Sequence, residues 1–367
     1  MNIYLDNIIF SNVTNGGVSN YWFELIKYIQ KIDSDTVHYF EDEKALANFH
    51  RKMLPLDAAE VIQLKKTLLS RIRPIHHEIK EDKAIYHSSY YRELKSSKSI
   101  IEVTTIHDFI HNFYSPIHKK IVHNKIKYDS IKRSQGIICV SKNTYSDLKK
   151  FCPITKNQKA EVIYVGVSDD YYPIQQLSET ERQFLNKHQI ENRKFILFVG
   201  NRTNYKNFHY VANLLKQDKG LLLVTIGGGD FTIKELKSLK DVDFTRIIHI
   251  QSIENQFLNV LYNRAFALLY PSEYEGFGIP VVEAMRSGCP VIGYNQPVMK
   301  EVGGEAVILL DTLTEESFVR AAKQLQNTDF KSELIGKGFE QSKQYGWEKC
   351  SRETHEFYEQ LYNSSFL

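Results

Sequence analysis

Two glutamates with seven residues between them stand in the segment YPSEYEGFGIPVVEAMRSGCPVI, residues 270–292. Glu275 lies in its glycine-rich part, and Glu283 follows a proline of the kind that opens a helix. The first N–H groups of a helix have no partner inside the helix, so together with the helix dipole they favour an anion such as a diphosphate. Carboxylates beside that anion can accept hydrogen bonds from ribose and sugar hydroxyls. The segment therefore predicts a diphosphate site flanked by hydroxyl-binding carboxylates.

The loop before this predicted helix adds candidate ligands. Its backbone N–H groups near Gly278 and Ile279 point at whatever lies in front of the helix, and Gly288 is a suitable left-handed end for the helix. The alternative is that the two glutamates only complement the positive end of the helix dipole. The candidate donor-binding residues of the segment are Gly276, Phe277, Gly278, Ile279 and Glu283.

Two cations follow another predicted strand. After KFILFV the chain continues as GNRTNYKNF, residues 200–208, which contains Arg202 and Lys206. Ligands of open α/β sheets bind at the carboxyl ends of the strands. A leaving diphosphate gains negative charge in the transition state, and an arginine fork and a compact lysine charge can both stabilise it. Arg202 and Lys206 are therefore predicted to be catalytic, the alternative being an ordinary solvated pair.

The combined segments resemble the retaining glycosyltransferases of family 4, which have the GT-B fold and an E-x7-E signature. The resemblance runs from the Gly16–Gly17 pair to the final helix that contains Trp347. It implies that Glu275 contacts the transferred sugar and Glu283 the ribose. The GNRxxYKNF form is similar to that of enzymes that assemble bacterial surface polysaccharides, whereas the commoner form has one more residue between the two cations.

Other segments are similar to elements that border the cleft in this family. The resemblance places Gly228, in LLLVTIGGG, and Ser252 and Ile253, in IQSI, at the nucleotide. It places Gly16 and Gly17, in TNGGVSN, beside the donor phosphates and the acceptor. The simpler alternatives are a tight turn at Gly228 and a plain strand-to-helix connection at the first pair.

His107 and Asp108 stand at the end of a predicted strand in TTIHDFIH. Such a pair is often structural, but at the carboxyl end of a parallel strand it would face the ligand-binding edge. The segment looks like the TxHD element of the family, whose histidine lies beside the transferred sugar. His107 is therefore predicted to be a catalytic residue on the acceptor side.

These residues need a scaffold in which strands alternate with helices, which indicates parallel sheets built from βαβ units. The 367 residues exceed what one hydrophobic core usually accommodates. We predict an α/β protein of two Rossmann-like, doubly wound domains that face a central cleft, the GT-B arrangement. The predicted parts are an acceptor-binding domain at 1–168, a linker at 169–193, a nucleotide-sugar-binding domain at 194–342, and a C-terminal helix at 343–362 that packs back on the first domain.

Composition and motifs indicate where the protein is located in the cell and whether it needs a metal or another cofactor. No run of eighteen apolar residues is present, and MNIYLDNIIF is typical of a first strand rather than a signal peptide. The four cysteines are scattered without a CxxC pair, which argues against a disulfide framework or a zinc site. No DxD element stands where a metal site would need it. We expect a cytoplasmic protein that uses neither a divalent metal nor another cofactor.

Positive charge concentrates in the first half, with 27 Lys+Arg against 22 Asp+Glu in residues 1–190. The stretches 50–80 and 111–135 are the most basic, with seven cations against three acids and six against one. One interpretation is a solvated helix face. The other is docking to anionic lipid on the inner face of the cytoplasmic membrane. Nucleic-acid binding is not expected, since no motif for it is present.

The resemblance implies transfer of a hexose, with retention of configuration, to a glycan or lipid-linked glycan in the synthesis of O-antigen or capsule. Its YKN variant favours GDP-mannose as donor, with UDP- and dTDP-sugars as alternatives. A sugar-nucleotide epimerase on a related scaffold and a nucleotide-sugar-binding module without turnover are two other interpretations. The basic first half argues against the epimerase, and the intact Glu275, Glu283, Arg202 and Lys206 argue against the binding module.

Overall fold

The computed structural model describes residues 1–65 and 70–364. Residues 66–69, which belong to the basic stretch 50–80, lie outside the described residues. The chain divides into two compact units, Met1–Gly166 with Tyr345–Leu367, and Val167–Gln344.

The first unit contains a parallel sheet, which in the described residues has seven strands in the order β3-β2-β1-β5-β7-β8-β9. Strands β4 and β6 pair with each other in a separate two-stranded sheet. The strands are β1 (Asn2–Asp6), β2 (Thr36–Glu41), β3 (Val61–Gln63), β4 (Ile75–His76), β5 (Lys83–Ser88), β6 (Leu94–Lys95), β7 (Ser99–Ile106), β8 (Gly136–Cys139) and β9 (Lys159–Val162).

The second unit contains a parallel sheet in the order β12-β11-β10-β13-β14-β15. Its central strands β10 and β11 have the sequences FILFV, which is entirely apolar, and LLVTI, in which Thr225 is the polar residue, and every residue of both is buried. Such runs are expected where helices cover both faces of a parallel sheet. The strands are β10 (Phe195–Val199), β11 (Leu222–Ile226), β12 (Ile247–Ile250), β13 (Ala267–Tyr270), β14 (Val291–Tyr294) and β15 (Val307–Leu310).

Helices connect the strands and cover the sheets. None of the described helices is long and apolar enough to cross a membrane. The helices are α1 (Ile8–Asn12), α2 (Gly17–Ile29), α3 (Phe49–Lys52), α4 (Ile110–Tyr114), α5 (Ile117–Arg133), α6 (Lys142–Phe151), α7 (Glu179–Lys187), α8 (Phe208–Gln217), α9 (Ile233–Ser238), α10 (Asn255–Arg264), α11 (Ile279–Arg286), α12 (Pro297–Gly303), α13 (Glu315–Gln324), α14 (Thr328–Ser342) and α15 (Trp347–Asn363).

The segment 169–193, predicted to be a linker, is part of the second unit. It contains α7, whose Phe184 stacks on Phe257 of α10 with ring centroids 4.7 Å apart. The backbone N–H of Ile174 donates to Asn263 Oδ1 at 2.8 Å. A polar composition suggested a free linker, but one apolar face and a few backbone hydrogen bonds are enough to fix it.

The sequence patterns did not predict β2, β3, β4, β6 or β15. The run TVHYFE of β2 mixes polar and apolar residues without a regular pattern, and its last three residues, Tyr39, Phe40 and Glu41, are buried. The glutamate is satisfied there by an ion pair, with Arg51 Nε 2.5 Å from its Oε1. A buried acid conceals a strand from a search for apolar runs.

The C-terminal helix α15 belongs to the first unit and packs against α2. Ser351 Oγ donates to the carbonyl oxygen of Glu24 at 3.3 Å. His355 Nε2 lies 2.6 Å from Asp35 Oδ2. These contacts attach the end of the chain to its beginning.

The N-terminus of α15 packs tightly against Gly166, so a larger residue at this position should lower the stability of the first unit. A Cβ on Gly166 would lie 2.5 Å from the backbone N and Cα of Trp347. Gly166→Ala is expected to destabilise the first unit by about 1–3 kcal/mol, because the backbone cannot move aside as a side chain can. Urea unfolding monitored by tryptophan fluorescence measures this.

The control is Gly336→Ala on α14, where a Cβ would meet nothing within 4 Å. That substitution should stabilise the helix, by about 0.5–1 kcal/mol. An unchanged unfolding midpoint for Gly166→Ala would contradict the packing described for Trp347.

Candidate functional site

The second unit brings the predicted donor-binding residues to one edge of its sheet. Strands β12, β11, β10 and β13 are neighbours and run parallel, so their carboxyl ends lie side by side. Ligands of doubly wound sheets bind at this edge. The predicted residues follow the strands in turn: Ser252 and Ile253 after β12, Gly228 after β11, Arg202 and Lys206 after β10, and Glu275, Gly276, Phe277, Gly278 and Ile279 after β13.

Arg202 holds the glycine-rich loop that follows β11. Its guanidinium donates to the carbonyl oxygens of Gly227 and Gly229, both at 2.7 Å, and of Asp230 at 3.1 Å. Its Nε lies 3.2 Å from Glu235 Oε1, and the side chain is 0% exposed. A direct contact between Arg202 and a leaving diphosphate stays a prediction, because it would require the guanidinium to leave these carbonyl groups.

The backbone of this loop needs glycine. Gly227, Gly228 and Gly229 have φ of 82°, 82° and 63°, a region that side chains with a Cβ rarely adopt. A Cβ on Gly228 would also lie 2.8 Å from Arg202 Nη1. The positive φ angles of the three glycines thus allow their carbonyl groups to face the Arg202 guanidinium.

Lys206 and Glu275 form an ion pair between the loops after β10 and β13. The ammonium lies 3.0 Å from Glu275 Oε1, and the two side chains are 12% and 14% exposed. Within the described part of the chain Glu275 Oε1 makes no hydrogen bond, so its contact with the ammonium is an ion pair that is not aligned as a hydrogen bond. The Tyr270 ring lies 5.2 Å from the ammonium. A cation and a carboxylate are thus available within one small volume.

Asn207 joins the same two loops, and the sequence analysis did not identify it as a site residue. Its backbone is left-handed, with φ of 51°. Its Nδ2 donates to the carbonyl oxygen of Pro271 at 3.0 Å and to Glu273 Oε1 at 3.1 Å. The N–H of Glu273 donates to the carbonyl oxygen of Tyr205 at 2.8 Å. The signal was its place next to Lys206 in YKNF, since asparagine tolerates this conformation better than other non-glycine residues.

Helix α11 begins at Ile279, directly after the loop that carries Glu275. Its N-cap is Gly278 with φ of 93°, and Pro280 occupies the first turn. Gly288, with φ of 71°, follows the helix end at Ser287. The helix N-terminus therefore lies at the carboxyl edge of β13, where its dipole favours an anion.

Glu283 is half-buried on α11 and is held by tyrosines that the sequence analysis did not identify. Tyr262 OH donates to Glu283 Oε2 at 2.8 Å. Burial raises the pKa of the Glu283 carboxyl to about 7, while hydrogen bonds with Tyr262 and Tyr171 act to lower it. The carboxyl is therefore fixed in orientation and changes charge near neutral pH.

His107 follows β7 in the first unit. Its ring meets the Tyr21 ring edge-on with centroids 5.1 Å apart, and Tyr21 OH lies 3.2 Å from Thr105 Oγ1. Burial lowers the pKa of His107 to about 4, with Asp108 opposing and Lys127 assisting that effect. His107 is thus neutral at pH 7 and suited to hydrogen bonding rather than to supplying positive charge.

Gly16 and Gly17 stand at the start of α2 in the same unit. Gly16 is exposed, and its N–H donates to Asn15 Oδ1 at 2.7 Å. Gly17 is the first residue of the helix. The pair therefore forms a helix N-terminus open to solvent within the first unit.

A cavity of about 300 Å³ lies elsewhere on the second unit. Its lining includes Lys194, Leu221 and Phe266, each directly before a strand. This places the cavity at the amino edge of the sheet, opposite the predicted donor residues. It is therefore not a candidate for donor binding.

Part of the second unit matches a known protein family. Residues 180–341 match the family described as Glycosyl transferases group 1. The matched segment includes both cations and both glutamates of the predicted site, namely Arg202, Lys206, Glu275 and Glu283.

Curated relatives share part of their length with this chain. The O-antigen chain mannosyltransferase RfbU of Salmonella typhimurium is 28% identical over 230 residues, which are 61% of this chain and 61% of that protein. The O-antigen chain mannosyltransferase B of Escherichia coli is 26% identical over 277 residues, 71% of this chain and 70% of that protein. Both relatives are thus named as O-antigen chain mannosyltransferases, and the chain spans about two thirds of their length.

The fold of the chain matches that of solved structures over its full length. The sucrose-phosphate synthase of Thermosynechococcus elongatus matches with a TM-score of 0.74 at 16% identity, over 100% of both chains. The predicted GT-B fold is confirmed, with two α/β units that each contain a parallel sheet.

The state of Glu283 yields a pH prediction. Its folded pKa, about 7, exceeds the ordinary value of 4.5, so its contribution to stability is complete below about pH 4.5 and is lost as pH rises through 7. Glu283→Gln keeps the Tyr262 contact without the charge. Between pH 4.5 and 8, the free energy of unfolding of the nucleotide-free wild type should therefore fall by on the order of 1–3 kcal/mol relative to that of Glu283→Gln. The melting temperature of the wild type should fall in parallel.

The matched control is Glu333→Gln, at an exposed position of α14. It should track the wild type across the same pH range in differential scanning calorimetry. A constant offset between Glu283→Gln and wild type at every pH would show that Glu283 does not carry the titration.

Proposed function

We propose that this chain is a retaining glycosyltransferase that moves a hexose from a nucleotide-sugar to a glycan or lipid-linked glycan acceptor. The observation that carries the proposal is the Lys206–Glu275 ion pair beside the N-terminus of α11, within the segment that matches the group 1 family. This arrangement offers positive charge for a leaving diphosphate and a carboxylate for sugar hydroxyls within contact of each other.

In the proposed reaction, the bond between the sugar and the nucleotide diphosphate breaks and the acceptor hydroxyl attacks the same face. The proton of that hydroxyl passes to the leaving diphosphate. Lys206 and the N-terminus of α11 stabilise the leaving diphosphate electrostatically. Glu275 accepts hydrogen bonds from the sugar, and Glu283, fixed by Tyr262, accepts hydrogen bonds from the ribose. Neutral His107 donates a hydrogen bond on the acceptor side. We propose that no divalent metal takes part, so chelators should not reduce the rate.

The proposed donor is GDP-mannose, and the proposed product belongs to a surface polysaccharide such as O-antigen or capsule. The support is the similarity to two relatives, both named O-antigen chain mannosyltransferases. UDP- and dTDP-sugars are the alternatives, because the site residues identified above bind phosphates and hydroxyls rather than a particular base.

Nucleotide binding separates these donors. A ligand that binds only the folded protein stabilises it by about 2.7 kcal/mol at a hundredfold excess over its Kd. GDP should raise the melting temperature in a thermal-shift screen, whereas UDP and dTDP should have little effect. Lys206→Ala should abolish most of the GDP shift and lower transfer from GDP-mannose by about 10²–10³-fold, as loss of one preorganised charge typically does.

The control variant is Lys219→Ala, an exposed lysine that lies before β11 and therefore at the amino edge of the same sheet. It should behave as wild type in both assays. A shift with UDP but not GDP overturns the donor assignment, and full transfer activity in Lys206→Ala overturns the site assignment.

We also propose a cytoplasmic protein that contacts anionic membrane through α4 and α5 of the first unit. The support is an apolar surface on these helices, which we name the α4–α5 patch and which consists of Phe113, Tyr114, Ile117, Ile121 and Val122. These side chains are 41–76% exposed. Lys120 and Lys125 flank the patch, and the Lys125 side chain is 73% exposed. Exposed apolar side chains with adjacent lysines suit an anionic bilayer interface.

Vesicle binding tests this contact. Ile117→Glu with Ile121→Glu should reduce co-sedimentation with phosphatidylglycerol vesicles at least about tenfold, since each removes apolar area worth on the order of 1.5–3 kcal/mol when buried. Ile233→Glu is the matched control, because Ile233 is also 76% exposed but lies on α9 of the second unit. Equal binding by the double variant and the control would rule out the α4–α5 patch as the contact.

A further inference from the structure

A cluster of basic and aromatic side chains lies at the carboxyl edge of the first sheet. His111 on α4 and His123 on α5 stack with ring centroids 3.7 Å apart. The Tyr90 ring lies 6.1 Å from the His123 ring. The chain reaches α4 directly after β7, and Tyr90 directly after β5, the parallel neighbour of β7. Because neighbouring parallel strands end at one edge, these rings meet there.

Two cations complete what we name the His111–His123 cluster. The guanidinium of Arg71 stacks over the Tyr90 ring, 4.1 Å from its centroid. The Lys127 side chain is 1% exposed, and its ammonium lies 2.5 Å from the carbonyl oxygen of Asp108 and 4.0 Å from Asp108 Oδ1. The cluster thus combines Arg71, Lys127 and two imidazoles with the carboxylate of Asp108, and the carboxylate of Asp147 also attracts Lys127. The exposed guanidinium of Arg71 gives the cluster access to solvent.

Polar atoms in and beside this cluster lack partners within the described structure. His123 Nδ1 is buried without a hydrogen bond. The side-chain oxygens of Asn112 and Asn124 are likewise buried and unpartnered, and Asn124 is 8% exposed. Buried polar groups are normally satisfied, so each such atom suggests a bound group that completes it.

The backbone beside the cluster is in an uncommon conformation. Tyr91 has φ of 62°, in the left-handed region that residues with a Cβ seldom occupy. The Tyr91 ring lies 6.1 Å from the His123 ring, and the ammonium of Lys127 lies 6.0 Å from it. Strain of this kind persists where the surrounding structure requires it, and it is common at ligand sites.

We propose that the His111–His123 cluster binds a phosphate group of the acceptor, such as the diphosphate that joins a glycan to its lipid carrier. This rests on the proposed transferase function. Arg71 would bind phosphate oxygens bidentately, Lys127 would supply charge, and His123 would donate from its unpartnered nitrogen. The same two helices carry the exposed α4–α5 patch, so a phosphate bound here would lie close to the surface proposed to contact lipid.

Inorganic pyrophosphate, titrated calorimetrically into the full chain, is the probe for this site. Saturating GDP, or whichever nucleotide diphosphate stabilises the protein, first occupies the donor site. Pyrophosphate should then bind one further site. Arg71→Gln and His123→Phe should each weaken that binding about tenfold, as loss of one charge-assisted hydrogen bond does.

Arg73→Gln is the matched control, since Arg73 is an exposed arginine two residues from Arg71. It should bind pyrophosphate as wild type does. Arg71 is itself exposed, so its variant should fold even if His123→Phe does not. Absence of a second pyrophosphate site, or equal binding by Arg71→Gln and Arg73→Gln, would overturn the proposal.

Two further measurements assign the source of the phosphate and keep the two proposals apart. Arg71→Gln should bind phosphatidylglycerol vesicles as wild type does. If this variant loses vesicle binding together with pyrophosphate binding, the cluster binds lipid headgroups and the acceptor assignment is overturned. The nucleotide shift should be the same in Arg71→Gln and wild type. If no nucleotide stabilises the protein but pyrophosphate binding still depends on Arg71, the transferase function fails while the anion site stands.

Discussion

The parallel order β12-β11-β10-β13 is the constraint on which the candidate donor site depends. Because these strands are neighbours and run in one direction, four separate loops must emerge at one edge. Those loops carry residues that are up to 77 positions apart in the chain, from Arg202 to Ile279. Chemistry that needs a cation, a carboxylate and a helix N-terminus together is thus assembled by strand order rather than by any one segment.

Buried polar contacts then convert four adjacent loops into one fixed surface. Arg202 gathers the carbonyl groups of the glycine loop, while Asn207 joins the loops after β10 and β13. Tyr262 orients Glu283 from a neighbouring helix. Preorganised groups cost little reorganisation when charge develops, so these supports matter to the proposed reaction although none of them needs to touch the sugar.

The sequence determined much of the fold because its signals are local. Unbroken apolar runs such as FILFV mark buried parallel strands, and Gly278, Pro280 and Gly288 mark the ends of α11. Residue type, position after predicted strands and the family resemblance together singled out Glu275, Glu283, Arg202 and Lys206. The sequence did not predict the short strands β3, β4, β6 and β15. Local composition misled at β2, with its buried Glu41, and at the polar segment 169–193, which packs as part of the second unit.

Only the tertiary structure decided what each of these side chains meets. The sequence predicted Arg202 and Lys206 as two catalytic cations after one strand. Folding buries Arg202 among backbone carbonyl groups and places Lys206 against Glu275. It also raises the pKa of Glu283 and brings His111 onto His123. Burial, partner and charge state depend on groups distant in the chain, whereas the sequence determines which residue types stand at the ends of strands and helices.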